Sequence, residues 1–282
     1  MSTRFATVAV NTKFKTTNWV AIFAFLIVVL VLFSIALDKN AYLASQTVLF
    51  SMGNQALQIL PEIFWHNVTY LGDALVLIPL LSFICLFNKR AWAAMFGAIP
   101  LACILSHAGK NFFAIPRPAA ILDLEQFTII GSTLTAHSSF PSGHTITIFT
   151  TLSAIWFVTV NVDNKRDYSK FILTTLLCLV ASITAISRVA VGAHWPADLI
   201  FGAVLGIVAG FSGEYLTRRY SGWWHWVKEK PLYLGYFVLF FCGVLLFSAV
   251  NGKVPQLAIV WAAIIVSTIV GTYIALKASL NK

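Results

Sequence analysis

Ser187, Arg188, His194 and Asp198 fall between two long apolar runs, within the stretch SRVAVGAHWPAD. Ionisable side chains at the edge of membrane-length runs are functional candidates by default. Pro196 marks a helix start, which sets His194 at its mouth and Asp198 four residues on, over the same face. A carboxylate at that offset can hold one imidazole nitrogen and leave the other free as a nucleophile. Arg188 adds a planar fork suited to phosphate oxygens. The plainer alternative is a capped helix that carries a surface His–Asp pair, so the stretch has to be weighed with two others.

The first of these is KNFFAIPRP, residues 110–118, in which Pro116 and Pro118 hold Arg117 in a stiff, extended backbone downstream of Lys110. The second is Pro141-Ser142-Gly143-His144, which leads into another apolar run. Gly143 allows close backbone approach to a ligand, the helix start offers free N–H groups, and Ser142 adds a hydroxyl. Together the three stretches supply two guanidinium groups, an ammonium, a helix-start amide cradle and two histidines. That inventory suits a phosphoryl group, whose transition state spreads charge over three equatorial oxygens. Two histidines also suit double displacement, in which one attacks phosphorus and the other protonates the leaving oxygen.

The elements that position these stretches are membrane spans. The chain of 282 residues is 59% hydrophobic and 10% charged, with a mean hydropathy of +0.84, against roughly 25% charged in soluble domains. Apolar runs at 19–37, 71–87, 91–107, 144–162, 171–187, 195–216, 232–250 and 254–276 predict eight transmembrane helices. The first reads as a retained helix, not a signal peptide. Between the first two runs, a mixed segment predicts an interfacial helix broken near Gly53 and stopped before Pro61. With residues 1–18 in the cytoplasm, fourteen of the 19 Lys and Arg residues fall inside and five outside: Lys39, Lys110, Arg117, Arg188 and Lys253. This is a positive-inside bias. It makes the net charge of +9 a topology signal and argues against a nucleic-acid partner. Three of the five outer cations lie in the chemical stretches, where an anionic substrate would explain them.

Lys-x6-Arg-Pro, Pro-Ser-Gly-His and Ser-Arg-x5-His-x3-Asp, in this order, resemble the three signature motifs of the type 2 phosphatidic acid phosphatase (PAP2)/haloperoxidase superfamily. The match is complete at Lys110, Arg117, Pro118, Pro141, Ser142, Gly143, His144, Ser187, Arg188, His194 and Asp198. The resemblance implies an all-α polytopic membrane protein: a six-helix bundle, here with two additional C-terminal helices. The expected organisation is a cytoplasmic segment at 1–18, a first helix and outer interfacial segment at 19–70, the catalytic core at 71–216, and a Trp-rich segment with two helices at 217–282. His194 would be the nucleophile that forms a phosphohistidine, Asp198 its orienting partner and His144 the acid for the leaving group. Lys110, Arg117, Ser142, Gly143 and Arg188 would bind phosphate oxygens, with no metal or other cofactor. The implied substrate is a lipid phosphate or lipid pyrophosphate, such as undecaprenyl pyrophosphate, phosphatidylglycerol phosphate, phosphatidate or a lipid A phosphate. The implied site is the outer face of a bacterial inner membrane. A phosphotransferase using the same intermediate, a vanadate-dependent haloperoxidase and a non-catalytic carrier or scaffold are the alternatives.

Other features invite plainer readings. Cys85, Cys103, Cys178 and Cys242 lie in apolar runs at unrelated spacings and read as small buried hydrophobes. His107 and His137 read as satisfied loop or helix-end histidines, and Asp73 as a helix cap. Gly202, Gly206, Gly210 and Gly213 predict close packing within the monomer. Trp223, Trp224 and Trp226 read as interfacial anchors.

Overall fold

A computed structural model describes residues 38–162 and 167–280. Its helices are α1 (Lys39–Leu57), α2 (Glu62–Thr69), α3 (Ala74–Leu80), α4 (Ile84–Phe87), α5 (Lys89–Phe113) and α6 (Pro118–Ile121). They continue as α7 (Gly143–Val162), α8 (Asp167–Ala190), α9 (Pro196–Arg219), α10 (His225–Glu229), α11 (Pro231–Val250) and α12 (Ala258–Leu280), with no strand among the described residues. The chain divides into two units at Tyr42, and the second, from Leu43 onward, holds every site residue.

Among the described residues, six helices are long and apolar enough to cross a bilayer: α5, α7, α8, α9, α11 and α12. The molecule is an all-α polytopic membrane protein. Its burial pattern is inverted relative to a soluble domain, as a lipid solvent requires. Phe171, Phe240, Phe247 and Ile269 are exposed on helix exteriors, whereas Arg117, Arg188, His194, Asp198 and Glu214 are buried. The expected first helix at 19–37 lies outside the described residues.

The expected second span is not one straight helix. Residues 62–72 and 74–87 are bent by 82° at Asp73. Asp73 starts a new helix there by accepting the Leu75 N–H at 2.8 Å, so its capping role holds. The break before Pro61 is also observed, but α1 runs unbroken through Gly53. A Cβ at Gly53 would make ordinary contact with Val189 Cγ1 at 3.4 Å.

Two spans run further than hydropathy indicates. α5 continues past residue 107 to Phe113, which makes Lys110 helical, and α8 carries Arg188 in its last turn. Hydropathy reads depth in the bilayer, whereas a helix ends where its backbone is capped. For α5 that point is Ala114, in the left-handed region at φ 46°, whose N–H bonds to Lys110 O. For α8 it is Gly192 at φ 76°. The turn around Gly192 returns both the Ala193 and His194 N–H groups to Arg188 O, at 3.0 and 3.2 Å.

α9 is the central helix, and its small-residue stripe packs within the monomer. Cβ atoms at Gly202, Gly206 and Gly210 would collide with α7, and one at Gly213 with α5. α11 and α12 cross at Gly235 and Gly271 and pack against α3 and α4 through Val76, Leu245, Val260 and Cys85, Val238, Ile274. Two other expectations need correction. Cys103 and Cys178 are exposed, because each sits on the outward face of an apolar helix, and only Cys85 and Cys242 are buried. Trp226 is not simply an interfacial anchor but packs edge-on to Trp92 beside Phe237.

Candidate active site

The C-terminal ends of α5 and α8 and the N-terminal ends of α7 and α9 bring the three stretches together. Hydrogen bonds join them directly. Trp195 Nε1, fully buried, donates to Pro116 O at 2.8 Å, and Ser142 N donates to Asp198 O at 3.2 Å. All eight expected site residues lie at this junction.

His194 and Asp198 are almost wholly buried, not the surface pair of the plainer alternative. Nδ1 of His194 lies 3.2 Å from Asp198 Oδ2, and Nε2 lies 3.3 Å from Arg117 Nη1. A guanidinium can only donate. Nε2 is therefore the unprotonated nitrogen, and Nδ1 carries the hydrogen that faces the carboxylate. Asp198 also accepts the Trp195 N–H at 3.1 Å, so it caps α9 and orients the histidine with one oxygen. Burial, followed by the positive charges of Arg117, Arg188 and Lys110, holds His194 well below the ordinary histidine range. The imidazole is thus neutral at neutral pH, and its Nε2 lone pair faces Arg117 Nη1.

Arg117 is fixed by donating Nη1 to Ala193 O at 3.0 Å and Nη2 to Ser138 O at 3.4 Å. Arg188 donates Nη1 to the Thr69 hydroxyl of α2. Each guanidinium is buried and keeps an Nε–H with no partner. Two buried donors of this kind are costly unless an anion meets them. Lys110 reaches the head of α7, where a Cβ on Gly143 would stand 3.2 Å from its Nζ.

Ser142 is buried and acts as the cap of α7, its Oγ accepting from Thr145 Oγ1 at 3.0 Å and from Thr145 N at 3.4 Å. The hydroxyl hydrogen of Ser142 remains available to donate. His144, half-buried one residue into the helix, is within Coulombic reach of Arg188, His194, Lys110 and Arg117. Gly72 holds it there, because a Cβ at that position would lie 2.6 Å from His144 Cβ.

Four contributors were not legible in the motifs. Ser139 Oγ bonds Asp198 Oδ2 at 2.5 Å, and Thr69 holds Arg188. Gln46 Oε1 accepts the Ala197 N–H in the first turn of α9 at 2.8 Å. Asn54 Nδ2 donates to Val189 O and Thr128 O, while its Oδ1 accepts the Thr128 N–H. The short polar run 137–139 ahead of Pro141 was the only trace of Ser139. His107 bonds its own helix at Cys103 O, and His137 is exposed, so neither joins the site. No group of three or more metal-ligating side chains occurs among the described residues.

The PAP2 superfamily model matches residues 91–226, the segment that carries all three stretches. The structure aligns with the crystal structure of LpxE from Aquifex aeolicus at 31% identity and a TM-score of 0.50, covering 60% of this chain and 93% of that one. The chain belongs to the PAP2 superfamily. Among curated proteins, this PAP2 chain is 29% identical over 155 residues to a lipid A 1-phosphatase of Porphyromonas gingivalis. It is 30% identical over 109 residues to YbjG of Escherichia coli K12, named as a candidate undecaprenyl-diphosphatase. These alignments cover 54% and 36% of this chain but only 30% and 50% of the relatives' lengths.

Proposed function

We propose that this PAP2 protein hydrolyses a lipid phosphate or lipid diphosphate through a phosphohistidine on His194. The observation that carries the reading is the directional setting of that imidazole: Nδ1 toward Asp198, Nε2 beside Arg117, both within a buried cluster of cations. A neutral nucleophile next to guanidinium groups with unpaired donors is an arrangement suited to attack on a phosphate.

In the first step the Nε2 lone pair forms an N–P bond as the P–O bond to the lipid breaks, and His144 delivers a proton to the departing oxygen. In the second step water attacks phosphorus, His144 takes the proton from that water, and the N–P bond breaks to release phosphate and restore His194. Lys110, Arg117, Arg188, Ser142 and the helix-start amides at Gly143 carry the charge on the equatorial oxygens. These fixed cations take the place a divalent metal fills in other phosphoryl-transfer sites.

Lipid substrates are supported by the names of the two curated relatives and by the position of the site at the ends of membrane helices. The charge asymmetry of the loops supports an outward-facing site in the cytoplasmic membrane of a bacterium. The test is phosphate release by the purified protein in detergent from a panel of lipid monophosphates and diphosphates. Orthovanadate should inhibit and EDTA should not. Rapid denaturation during turnover should trap labelled phosphate in acid-labile, base-stable linkage to His194. Activity lost to EDTA and restored by Mg²⁺, or label on any other residue, would reject this mechanism.

A further inference from the structure

A cavity of about 1000 Å³ lies far from the candidate active site. It opens at the other end of α5, which from Lys110 to Lys89 extends ~30 Å at ~1.5 Å per residue. That size is at the top of the range of roughly 300–1,000 Å³ for ligand pockets. It lies between α4, the start of α5 and the two C-terminal helices α11 and α12, beyond the segment matched by the superfamily.

Three separate elements send a lysine to this cavity: Lys89 from α5, Lys230 from the residue before α11, and Lys277 from the last turn of α12. Lys277 suits the negative end of its helix, but Lys89 and Lys230 stand at helix N-termini, where the macrodipole disfavours a cation. Glu229 is the one carboxylate in the lining. The neighbouring Glu214 is already shared by Arg90 at 2.7 Å and Arg218 at 3.3 Å. The site therefore holds an excess of positive charge that helix-end stability does not explain.

The remaining wall is apolar and aromatic. Phe87 is 84% exposed, and Tyr233 and Tyr273 are exposed while lying under Lys230 and Lys277 at 5.6 and 5.5 Å from ring centroid to Nζ. A soluble anion has no use for that wall. A phospholipid has, because its acyl chains lie along apolar surface while its phosphate meets the ammonium groups at the membrane boundary. We propose that this cavity binds an anionic phospholipid, with Lys89, Lys230 and Lys277 on its headgroup and the wall around Phe87 against its chains. The proposal depends on the membrane spans and the cavity, not on the catalytic reading.

The test is native mass spectrometry and thermal stability of the full chain in neutral detergent, titrated with phosphatidylglycerol, phosphatidylcholine or inorganic phosphate. Wild type should retain and be stabilised by phosphatidylglycerol alone. Replacing Lys89, Lys230 and Lys277 by Gln should weaken that binding by about tenfold or more, whereas replacing all three by Arg should preserve it. A Lys170→Gln, Arg219→Gln control, which changes charge at the same end but outside the cavity, should behave as wild type. Equal binding of phosphatidylcholine, an equal effect of inorganic phosphate, or equal loss in the control would each overturn the proposal. If the Gln variant fails to fold, the Arg variant decides: loss of phosphatidylglycerol binding in that folded protein also overturns it.

Discussion

Ser139 Oγ donates to Asp198 Oδ2 at 2.5 Å, the same oxygen that faces His194 Nδ1 and accepts the Trp195 N–H. The carboxylate is thus held by a hydroxyl from one loop and an amide from another while it orients the imidazole. Ser139 itself is anchored, since its N–H donates to Ile115 O at 2.9 Å. On the proposed mechanism it is a positioning residue that acts through Asp198.

Ser139→Ala should therefore lower kcat by about tenfold while KM changes little, because a charge-assisted hydrogen bond contributes ~1.5–3 kcal/mol and only part of that reaches the transition state. Ser139→Thr, which keeps the hydroxyl, should recover much of the loss. Steady-state kinetics on one lipid phosphate would settle it. A rise in KM at constant kcat would show that Ser139 shapes binding instead.

The depressed pKa of His194 sets two signs. The folded protein keeps this imidazole neutral as pH falls through the ordinary value of 6.5, so kcat/KM should show no acid limb from the nucleophile until well below that value. The unfolded chain, by contrast, takes up the proton near 6.5. Acidification below that point should destabilise the fold progressively, and His194→Gln should flatten the slope of stability against pH in this window. Thermal unfolding in detergent at pH 5.0–7.5 would measure it. A wild-type slope unchanged in the variant would remove His194 as its source.

Asn54 ties the interfacial helix to the end of α8 through both sides of its amide. Asn54→Leu fills similar space but leaves the Thr128 N–H and the carbonyls of Val189 and Ala190 without that partner. The expected cost is about 2–4 kcal/mol, read as a melting temperature lower by ~5 °C or more. Because Val189 adjoins Arg188, activity should fall more steeply with temperature as well. A variant that melts with wild type would show that water replaces the amide at no cost.

The groups of the proposed chemistry were legible because they come in short local patterns. His194 and Asp198 are four residues apart on one helix start, and Pro141–His144 is contiguous, so each pattern encodes its own geometry. The orientation of those groups depends instead on long-range partners. Thr69 meets Arg188, Gln46 meets Ala197 and Ser139 meets Asp198 across intervals that no periodicity connects. Helix ends were misjudged for a related reason. Hydropathy falls at residue 107, yet backbone hydrogen bonding continues to the cap at Ala114. The 82° break at Asp73 was marked in sequence by Gly72-Asp73, but only the packing of Gly72 on His144 shows why the chain turns there.

The two histidines are unequal, and the leaving group can expose the difference. On the proposed mechanism His194 attacks phosphorus whatever the substrate, so His194→Ala should be inactive on every ester. On the proposed mechanism His144 protonates the departing oxygen, a service worth ~10²–10⁴-fold when that oxygen belongs to a poor leaving group such as a lipid alcohol, and then takes the proton from the attacking water. p-Nitrophenolate departs without such help. His144→Ala should accordingly be severely impaired on a lipid monophosphate and retain a larger share of its activity on p-nitrophenyl phosphate, where only the hydrolysis step still needs His144. Both variants should still bind vanadate, which separates lost chemistry from a collapsed cation cluster. Equal loss by His144→Ala on the two substrates, with vanadate binding intact, would refute the acid role. Turnover of the activated ester by His194→Ala would refute the nucleophile assignment.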